Sequence, residues 1–369
     1  MNKYIFTFIF FFVSLKNIFP QNINDSIFES VLSESEIIFA DSINKLNEIN
    51  ESINMSRNLY NIGLEFMQNK EFNEAINSFS KAINIDSTFA LAYFNRAKCY
   101  ETLNNELALV DFKTSFILDS SNYTSLYSIA NIQSKFDNEL AINTYKQILL
   151  LNSNESKAYF EIGVLLFMQS KFDLAIESFS SALNINRDAR YLNDRGSCYR
   201  KLAKYDLAIK DYLEAIKIDP SLVFVYNNLA STYRKSGENE KALTYYSYAI
   251  SYDDSYFIAY NNRSSLYFDM NQIENAVADV NKSISINSLY APAFNNRGVI
   301  YHHKKMYVEA LANFDIALEL NTNYAKAYLN RGITKQMNRD EDGACYDWKK
   351  AYDLGIKLAD KYFVNDCNE

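Results

Sequence analysis

The sequence is poor in the residues that interrupt regular structure, since its 369 residues include only 8 Gly and 3 Pro, against average usage of about 7% and 5%. So few breakers exclude a loop-rich fold or a β fold of many short strands. With 2 His and 4 Cys, a zinc site made of protein ligands is hard to assemble, and we expect neither metal nor cofactor. A basic excess is also missing, because 45 acidic residues outnumber 37 basic ones. This balance argues against a nucleic-acid partner.

The N-terminus carries a short apolar run. Lys3 gives a positive start, and Tyr4–Leu15 then continues without a charge until Lys16. A membrane-spanning helix needs about 20 apolar residues, so the pattern predicts a cleaved signal peptide over residues 1–21. The residues before the expected cleavage point are poor in small side chains, and an uncleaved membrane anchor is the alternative.

A period of 33 or 34 residues extends from Ser56 to Leu358. The nine segments are 56–89, 90–122, 123–155, 156–188, 189–222, 223–256, 257–290, 291–324 and 325–358. Alanine stands at one place in the second half of each: Ala75, Ala108, Ala141, Ala175, Ala208, Ala242, Ala276, Ala310 and Ala344. Four residues later eight of nine have an aromatic residue: Phe79, Phe112, Tyr145, Phe179, Tyr212, Tyr246, Phe314 and Trp348. The first half has its own small residue: Gly63, Ala97, Ala130, Gly163, Gly196, Ala230, Ser264, Gly298 and Gly332.

Apolar and small residues at spacings of 3, 4 and 7 lie on one face of an α-helix. Each segment holds two such faces with a break between them, so each is predicted to be a helical hairpin. Small residues allow two helix backbones to approach closely, and the aromatic side chains fill the adjoining grooves. One hairpin cannot bury both of its faces, and neighbouring hairpins must therefore stack.

These residues resemble the tetratricopeptide repeat (TPR) family over residues 56–358. The resemblance implies an all-α, right-handed superhelical solenoid of about nine hairpins with a concave groove. Positions are counted below from the first residue of each segment. Residues 356–369 follow the last repeat and are predicted to form a capping helix and tail that cover its exposed apolar face. The pattern is also similar to that of exported bacterial TPR proteins.

In the TPR family, ligand contacts in the groove come mostly from the first helix of each repeat. At position 6 six repeats carry asparagine: Asn61, Asn95, Asn228, Asn262, Asn296 and Asn330. The exceptions are Ser128, Glu161 and Asp194 in the third to fifth repeats. An asparagine amide offers both an acceptor and donors, so the row could pair with the backbone of an extended peptide. It resembles the asparagine ladder of O-GlcNAc transferase. The alternative is that asparagine is simply common at this position, or favoured by genome composition.

Position 5 divides the array into two halves. It is aromatic in the first four repeats: Tyr60, Phe94, Tyr127 and Phe160. It is asparagine in the next four: Asn193, Asn227, Asn261 and Asn295. We therefore expect an apolar groove with side-chain pockets first and a polar groove afterwards. Arg200 and Arg234 would add positive charge to the second half and favour an acidic ligand, although a merely solvated face is an equal alternative.

Arginine replaces the usual leucine at position 7 of five repeats: Arg96, Arg195, Arg263, Arg297 and Arg331. The stem of each is expected to pack between helices while its head lies near solvent or a carboxylate. We assign these arginines no role in function.

Residues 22–55 precede the first repeat and are acidic, with seven acids against one Lys. Their apolar residues fall roughly at helical spacing. One or two helices packed on the first repeat is one interpretation, and a detached amphipathic arm for docking or self-association is the other.

The cysteines near the C-terminus could form a disulfide. Cys345 lies ten residues before Gly355 and Cys367 twelve after it. If the flanking helices fold back at Gly355, both thiols lie at similar heights, roughly 15 and 18 Å from the turn, where a disulfide is allowed; two free thiols are the alternative. Cys99 and Cys198 are interpreted as small buried fillers.

No phosphate-binding Gly loop, paired nucleophile or metal cluster is apparent, so we expect no catalysis. The leading hypothesis is an exported protein–protein interaction scaffold that is periplasmic, envelope-associated or secreted. It would bind a protein or extended peptide in the groove and have no membrane span after signal removal. A carbohydrate-binding module is the alternative, supported if the position-5 aromatic residues form exposed platforms.

Overall fold

The computed structural model describes residues 25–367, with side chains placed for residues 36–362 and Cys367. Every regular element in this range is an α-helix, so the predicted all-α fold is confirmed. The predicted signal peptide, residues 1–21, lies outside the described residues. The helices are α1 (Asp25–Gln68), α2 (Phe72–Ile85), α3 (Ala90–Tyr100), α4 (Asn105–Leu118), α5 (Thr124–Gln133), α6 (Asn138–Leu151), α7 (Ser156–Met168), α8 (Phe172–Ile185), α9 (Ala189–Lys201), α10 (Tyr205–Ile218), α11 (Val223–Lys235), α12 (Asn239–Tyr252), α13 (Phe257–Asp269), α14 (Ile273–Ile286), α15 (Ala291–His303), α16 (Tyr307–Leu320), α17 (Ala325–Met337), α18 (Glu341–Asp353) and α19 (Ala359–Asp366).

The odd-numbered helices up to α17 are the first helices of the repeats, and the even-numbered helices are the second. The chain divides into two compact units between Phe136 and Asp137, inside the third repeat. In the first unit α1 packs on α2, α3 on α4, and each pair on the next helix. In the second unit consecutive helices pack on one another from α6 to α19. Each unit thus buries the stacked faces that a single hairpin would leave exposed.

Small residues of the first helices lie against aromatic rings of the second helices. A Cβ atom added to Gly163 would lie 2.6 Å from Cε1 of Phe179, and one added to Gly298 would lie 2.6 Å from Cε1 of Phe314. Both rings are fully buried, so the absent side chain is what permits close approach of the two backbones. The repeated alanines of the second helices are also fully buried, as the periodicity indicates.

The turn inside each repeat takes one of two forms. In seven repeats a single residue has a positive φ: Lys70, Ser170, Ala203, Gly237, Asn271, Lys305 and Arg339. The second and third repeats lack this residue, and there the Asn104 and Asp137 side chains accept hydrogen bonds from the first N–H groups of the next helix. The fourth repeat is shortened at its end, where Asp188 caps α9 in the same way. Each shortened turn is therefore stabilised by a side-chain cap.

Helix α1 is 44 residues long and continues into the first repeat without a break. Residues 36–52 are all exposed, so this part of the acidic segment does not pack on the first repeat as one interpretation expected. Ile38, Leu46 and Ile49 are each at least half exposed, at 67%, 57% and 50%. Within the described range, no helix combines the length and apolar character that crossing a membrane requires.

Helix α19 covers the end of the last repeat. Ala359 is fully buried, and the Tyr362 ring stacks on Trp348 with ring centroids 5.2 Å apart. A disulfide joins Cys345 of α18 to Cys367, with their Cα atoms 5.7 Å apart. These contacts shield the last apolar face from water, which is the role of a capping helix.

Candidate functional site

The position-7 arginines connect three helices. In the seventh repeat Nε and Nη2 of Arg263 donate to the two carboxylate oxygens of Asp279 on α14, at 2.7 and 2.9 Å. Nη1 donates to Ser247 of the preceding repeat at 2.8 Å. The same two bonds join Arg96 to Asp111, Arg195 to Asp211 and Arg331 to Asp347. In the eighth repeat Nε of Arg297 donates to Oδ1 of Asn313. The guanidinium groups are therefore committed to structure, and their heads meet carboxylates in four of the five repeats.

Sequence reasoning missed the residue that faces each arginine. All five repeats with Arg at position 7 have Asp or Asn on the second helix, whereas the other four repeats have Ile or Leu at position 7 and no acid there. Those four pairs are Ile62 with Ser78, Ile129 with Thr144, Ile162 with Ser178 and Leu229 with Tyr245. This matched change between repeats is the signal that could have found the pairs.

The position-6 asparagines bridge neighbouring first helices. Nδ2 of Asn262 donates to Oδ1 of Asn227, one repeat earlier, at 3.0 Å. Equivalent bonds run from Asn228 to Asn193, Asn296 to Asn261 and Asn330 to Asn295, each at 2.9 Å, and from Asn95 to the Tyr60 hydroxyl at 2.8 Å. Asn61 is exposed. The row is thus part of the inter-repeat contact, and its partly exposed amides keep one N–H each for other acceptors.

The position-5 asparagines are buried between repeats, although Asn193 also lines the pocket described below, so they are not the exposed polar contacts expected above. Asn193, Asn227, Asn261 and Asn295 are 4% to 7% exposed. Each accepts the bond from the next repeat, and Asn261 and Asn295 also donate to the position-6 amide beside them, at 3.4 and 3.3 Å. A buried amide is costly unless it is hydrogen-bonded, so these side chains hold adjacent first helices in register.

The position-5 aromatic residues are half-buried: Tyr60, Phe94, Tyr127 and Phe160. The Tyr60 ring lies 4.8 Å from that of Phe89, and the Phe160 ring stacks on Tyr191 at 4.5 Å. Rings held in this way are not the open platforms on which carbohydrate binding would depend. The carbohydrate alternative therefore loses the observation that would have supported it.

A pocket of about 330 Å³ opens on the face of three successive first helices in the second unit. It is lined by positions 9 and 12 of α7, positions 6, 9 and 12 of α9 and position 6 of α11, with the more deeply buried Phe179 and Asn193 as its floor. The lining residues are Val164, Phe167, Phe179, Asn193, Asp194, Ser197, Arg200 and Asn228. Of the predicted groove residues, Asn228 and Arg200 therefore meet in this pocket. Asp194 also lines it, although the sequence analysis noted this residue only as an exception to the asparagine row.

Charge is unevenly distributed around this pocket. Burial raises the pKa of Asp194 to about 6, against the lowering effect of a hydrogen bond from Asn193, which is 2.8 Å long. Burial also raises the pKa of Glu161, the position-6 residue of the preceding repeat. Arg234 does not add a free positive charge, because it pairs with Asp269 and donates to Ser265 at 3.0 Å. The two arginines of the predicted basic surface thus differ, because Arg234 is ion-paired whereas no ion pair engages Arg200 among the described side chains.

The described residues offer little for covalent or metal chemistry. Cys99 and Cys198 are fully buried, and burial raises their thiol pKa to about 11 and about 12. Thiols in such surroundings are not nucleophiles at neutral pH. In the part of the chain that the structure covers, no three His, Cys, Asp or Glu side chains lie together as metal ligands. The arrangement suits non-covalent recognition.

Family models described as tetratricopeptide repeat or TPR repeat match residues 63–104, 137–189, 189–222, 211–244 and 258–288. The chain belongs to the tetratricopeptide repeat family. Proteins of this fold are typically non-enzymatic scaffolds, and the repeats of this chain support a protein–protein interaction scaffold.

Solved structures with a similar fold include the APC/C hetero-tetramer Cut9–Hcn1, with 13% identity over 84% of this chain and 76% of that chain and a TM-score of 0.54. YrrB, described as a TPR protein with an unusual peptide-binding site, matches with 24% identity over 49% of this chain and 95% of its own and a TM-score of 0.41. PilF of Pseudomonas aeruginosa matches with 18% identity over 57% and 96% and a TM-score of 0.48. The first of these likenesses supports the shared fold alone.

Proposed function

We propose that the protein is a non-catalytic scaffold of the cell envelope whose first helices bind an extended segment of a partner protein. The observation that carries the proposal is the pocket between α7, α9 and α11, because side chains from the first helices of three successive repeats converge there. Its lining combines apolar side chains with hydrogen-bonding groups, as ligand sites generally do. The partly exposed Asn228, Asn262 and Asn296 continue the same face toward later repeats.

A matched pair of charge reversals tests this groove. Arg200 lines the pocket, whereas Lys201 on the same helix is exposed and points about 100° away. The protein is isolated with its partner from its native cells, and the partner's affinity is then measured with purified Arg200→Glu and Lys201→Glu variants. We expect Arg200→Glu to weaken binding by about tenfold or more and Lys201→Glu to leave it unchanged. Equal effects of the two variants would place the partner elsewhere.

The location of the protein is part of the proposal. The apolar pattern of residues 1–21 supports export. The Cys345–Cys367 disulfide supports an oxidising compartment. Cell fractionation with N-terminal sequencing of the mature chain tests both points. We expect the protein in an envelope or secreted fraction, beginning near residue 22, and recovery of the intact chain from the cytosol would contradict this.

We also propose that the exposed part of α1 mediates self-association. Ile38, Leu46 and Ile49 lie on one side of the helix and are at least half exposed, while Glu51 lies on the opposite side. A second copy of the helix would cover this apolar stripe as in a coiled coil. The mass in solution of Ile38→Ser/Leu46→Ser/Ile49→Ser should fall to that of one chain.

The variant Glu51→Ser is the control for this test, because it changes the same helix on the side opposite the apolar stripe. It should keep the mass of the wild type. A wild-type protein that is monomeric at all accessible concentrations would refute self-association without affecting the groove.

A further inference from the structure

Asp194 occupies the place in the first helix where six of the nine repeats carry asparagine. An asparagine amide both donates and accepts hydrogen bonds, whereas an ionised carboxylate only accepts. The hydrogen-bonding groups that a ligand must supply therefore change at the fifth repeat. A ligand that faces Asp194 must supply donors, and a positively charged donor would satisfy it best.

The protein itself supplies only neutral donors to this carboxylate. Asn228 donates to Asn193 at 2.9 Å, and Asn193 donates to Asp194 at 2.8 Å. The amides of Asn228 and Asn193 thus form a chain of hydrogen bonds that ends at the Asp194 carboxylate. Among the described side chains, no cation pairs with this carboxylate.

The surroundings of Asp194 place any cation at one end of the pocket. The charged or titratable groups around it are Glu161 on α7, Cys198 and Arg200 on its own helix α9, and Tyr212 on α10. Val164 and Phe167 on α7 and Asn228 on α11 are neutral. Arg200 follows Asp194 by six residues, or about 9 Å along the helix. It would repel a cation at its own end and attract a carbonyl or carboxylate oxygen there.

We propose that this pocket takes a basic side chain, lysine or arginine, of the bound segment, with its charged head against Asp194. This inference rests on the proposed function, since it names the chemistry of the segment that the groove binds. The pocket volume of about 330 Å³ equals that of roughly ten water molecules, which is room for a long side chain. The apolar walls formed by Val164 and Phe167 suit its hydrocarbon stem.

Burial explains why a cation would be favoured here. Asp194 is partly buried, so its charged form is incompletely solvated, which raises its pKa to about 6. A cationic head would replace the missing solvation, so binding should lower this pKa and release a proton at mildly acidic pH. Affinity for a basic ligand is therefore expected to fall as the pH drops below about 6.

The test uses fluorescent peptides whose N-terminus is acetylated and whose C-terminus is an amide. A Gly-Ser backbone carries arginine, lysine or citrulline at its centre, since citrulline has the shape of arginine without its charge. Binding to the full protein is measured by anisotropy. We expect the arginine and lysine peptides to bind about tenfold tighter than the citrulline peptide at about pH 8, and this preference to shrink at about pH 5.

Two matched variants decide whether Asp194 is responsible. Asp194→Asn restores the residue that other repeats have at this position, so it should fold and lose the preference for a basic centre. Asp206→Asn makes the same change at an exposed site on α10 and should keep the preference. A preference that persists in Asp194→Asn overturns the inference.

The remaining outcomes separate the two proposals. Equal binding of all three peptides, weakened in each case by Arg200→Glu, would overturn the basic-side-chain pocket and leave the peptide-binding groove intact. Absence of binding by every peptide, at concentrations where the native partner binds, would count against both.

Discussion

The ion pair between Arg263 and Asp279 allows a quantitative test of how the repeats are held together. Asp279→Ala removes two charge-assisted hydrogen bonds and leaves the guanidinium with the Ser247 hydrogen bond and the faces of the Tyr260 and Tyr267 rings. The side chains of Arg263 and Asp279 are 17% and 9% exposed. The arginine therefore remains largely buried without a carboxylate partner after the substitution, and the fold should lose stability.

The size of this loss follows from the degree of burial. Breaking a fully buried pair costs about 3–5 kcal/mol, and exposed pairs contribute about 0–1 kcal/mol. Because the Arg263 head can still reach some water, we expect Asp279→Ala to cost about 2–3 kcal/mol. The double variant Arg263→Ile/Asp279→Ser copies the Ile162 and Ser178 pair of the fourth repeat. It strands no charge and should cost about 1 kcal/mol or less.

Urea unfolding followed by circular dichroism measures these differences, with hydrogen exchange of α13 and α14 as a local readout because repeat arrays can unfold in parts. Asp254→Ala is the control. Asp254 is an exposed acid at the end of the sixth repeat, next to the repeat that holds Arg263 and Asp279, and it takes no part in their ion pair. The reasoning is refuted if Asp279→Ala is no more harmful than Asp254→Ala. It is equally refuted if the double variant is less stable than Asp279→Ala.

Four further substitutions have defined outcomes. Gly298→Ala should cost about 1–3 kcal/mol in denaturant, because its Cβ would lie 2.6 Å from a buried ring. Lys305→Gly should raise the thermal midpoint, since φ is 61° there and the left-handed conformation costs a non-glycine residue about 1 kcal/mol. Asp194 has a folded pKa of about 6 against 3.8 unfolded, so its contribution to stability is present below pH 3.8 and is lost as the pH rises through about 6. Asp194→Asn should therefore stabilise the protein near pH 8 by up to about 3 kcal/mol, and this gain should vanish toward about pH 4. Cys345→Ser/Cys367→Ser should lower stability by about 3 kcal/mol, with faster hydrogen exchange in α18 and α19.

Each of these outcomes has a clear opposite. A neutral Gly298→Ala variant would mean that the helices can separate at no cost, and a destabilised Lys305→Gly variant would mean that the lysine side chain matters more than its φ. A pH-independent effect of Asp194→Asn would contradict the raised pKa. Unchanged exchange in the cysteine double variant would mean that the disulfide does not hold the cap.

Much of the fold could be predicted because the same pattern of small and aromatic residues recurs in the nine repeats. Helix starts at Ala90, Ser156 and Ala189 coincide with the first residues of predicted segments, since the small and aromatic positions determine where a hairpin must bend. The long α1 could not be predicted in the same way. Its apolar spacing resembles that of a packed helix. The local sequence does not reveal that residues 36–52 are left uncovered by neighbouring helices.

The site was less predictable than the fold because its contacts join different repeats. Asn262 was correctly placed on the first helix, but its bond to Asn227 depends on how two repeats align, which composition and spacing do not specify. Asp194 was noted only as an exception to the row. Its significance depends on burial and on the amide chain that ends at its carboxylate. These are properties of the packed array.

The central claim is that a partner protein binds on the face of the first helices, and site-specific photo-crosslinking tests it most directly. A photoreactive phenylalanine analogue is introduced in place of Phe167, which lines the pocket, or in place of Leu150 on a second helix, which is 86% exposed. Both variants are irradiated with the native partner. We predict crosslinks from position 167 and none from position 150. Crosslinks from position 150 with none from position 167 would contradict the account.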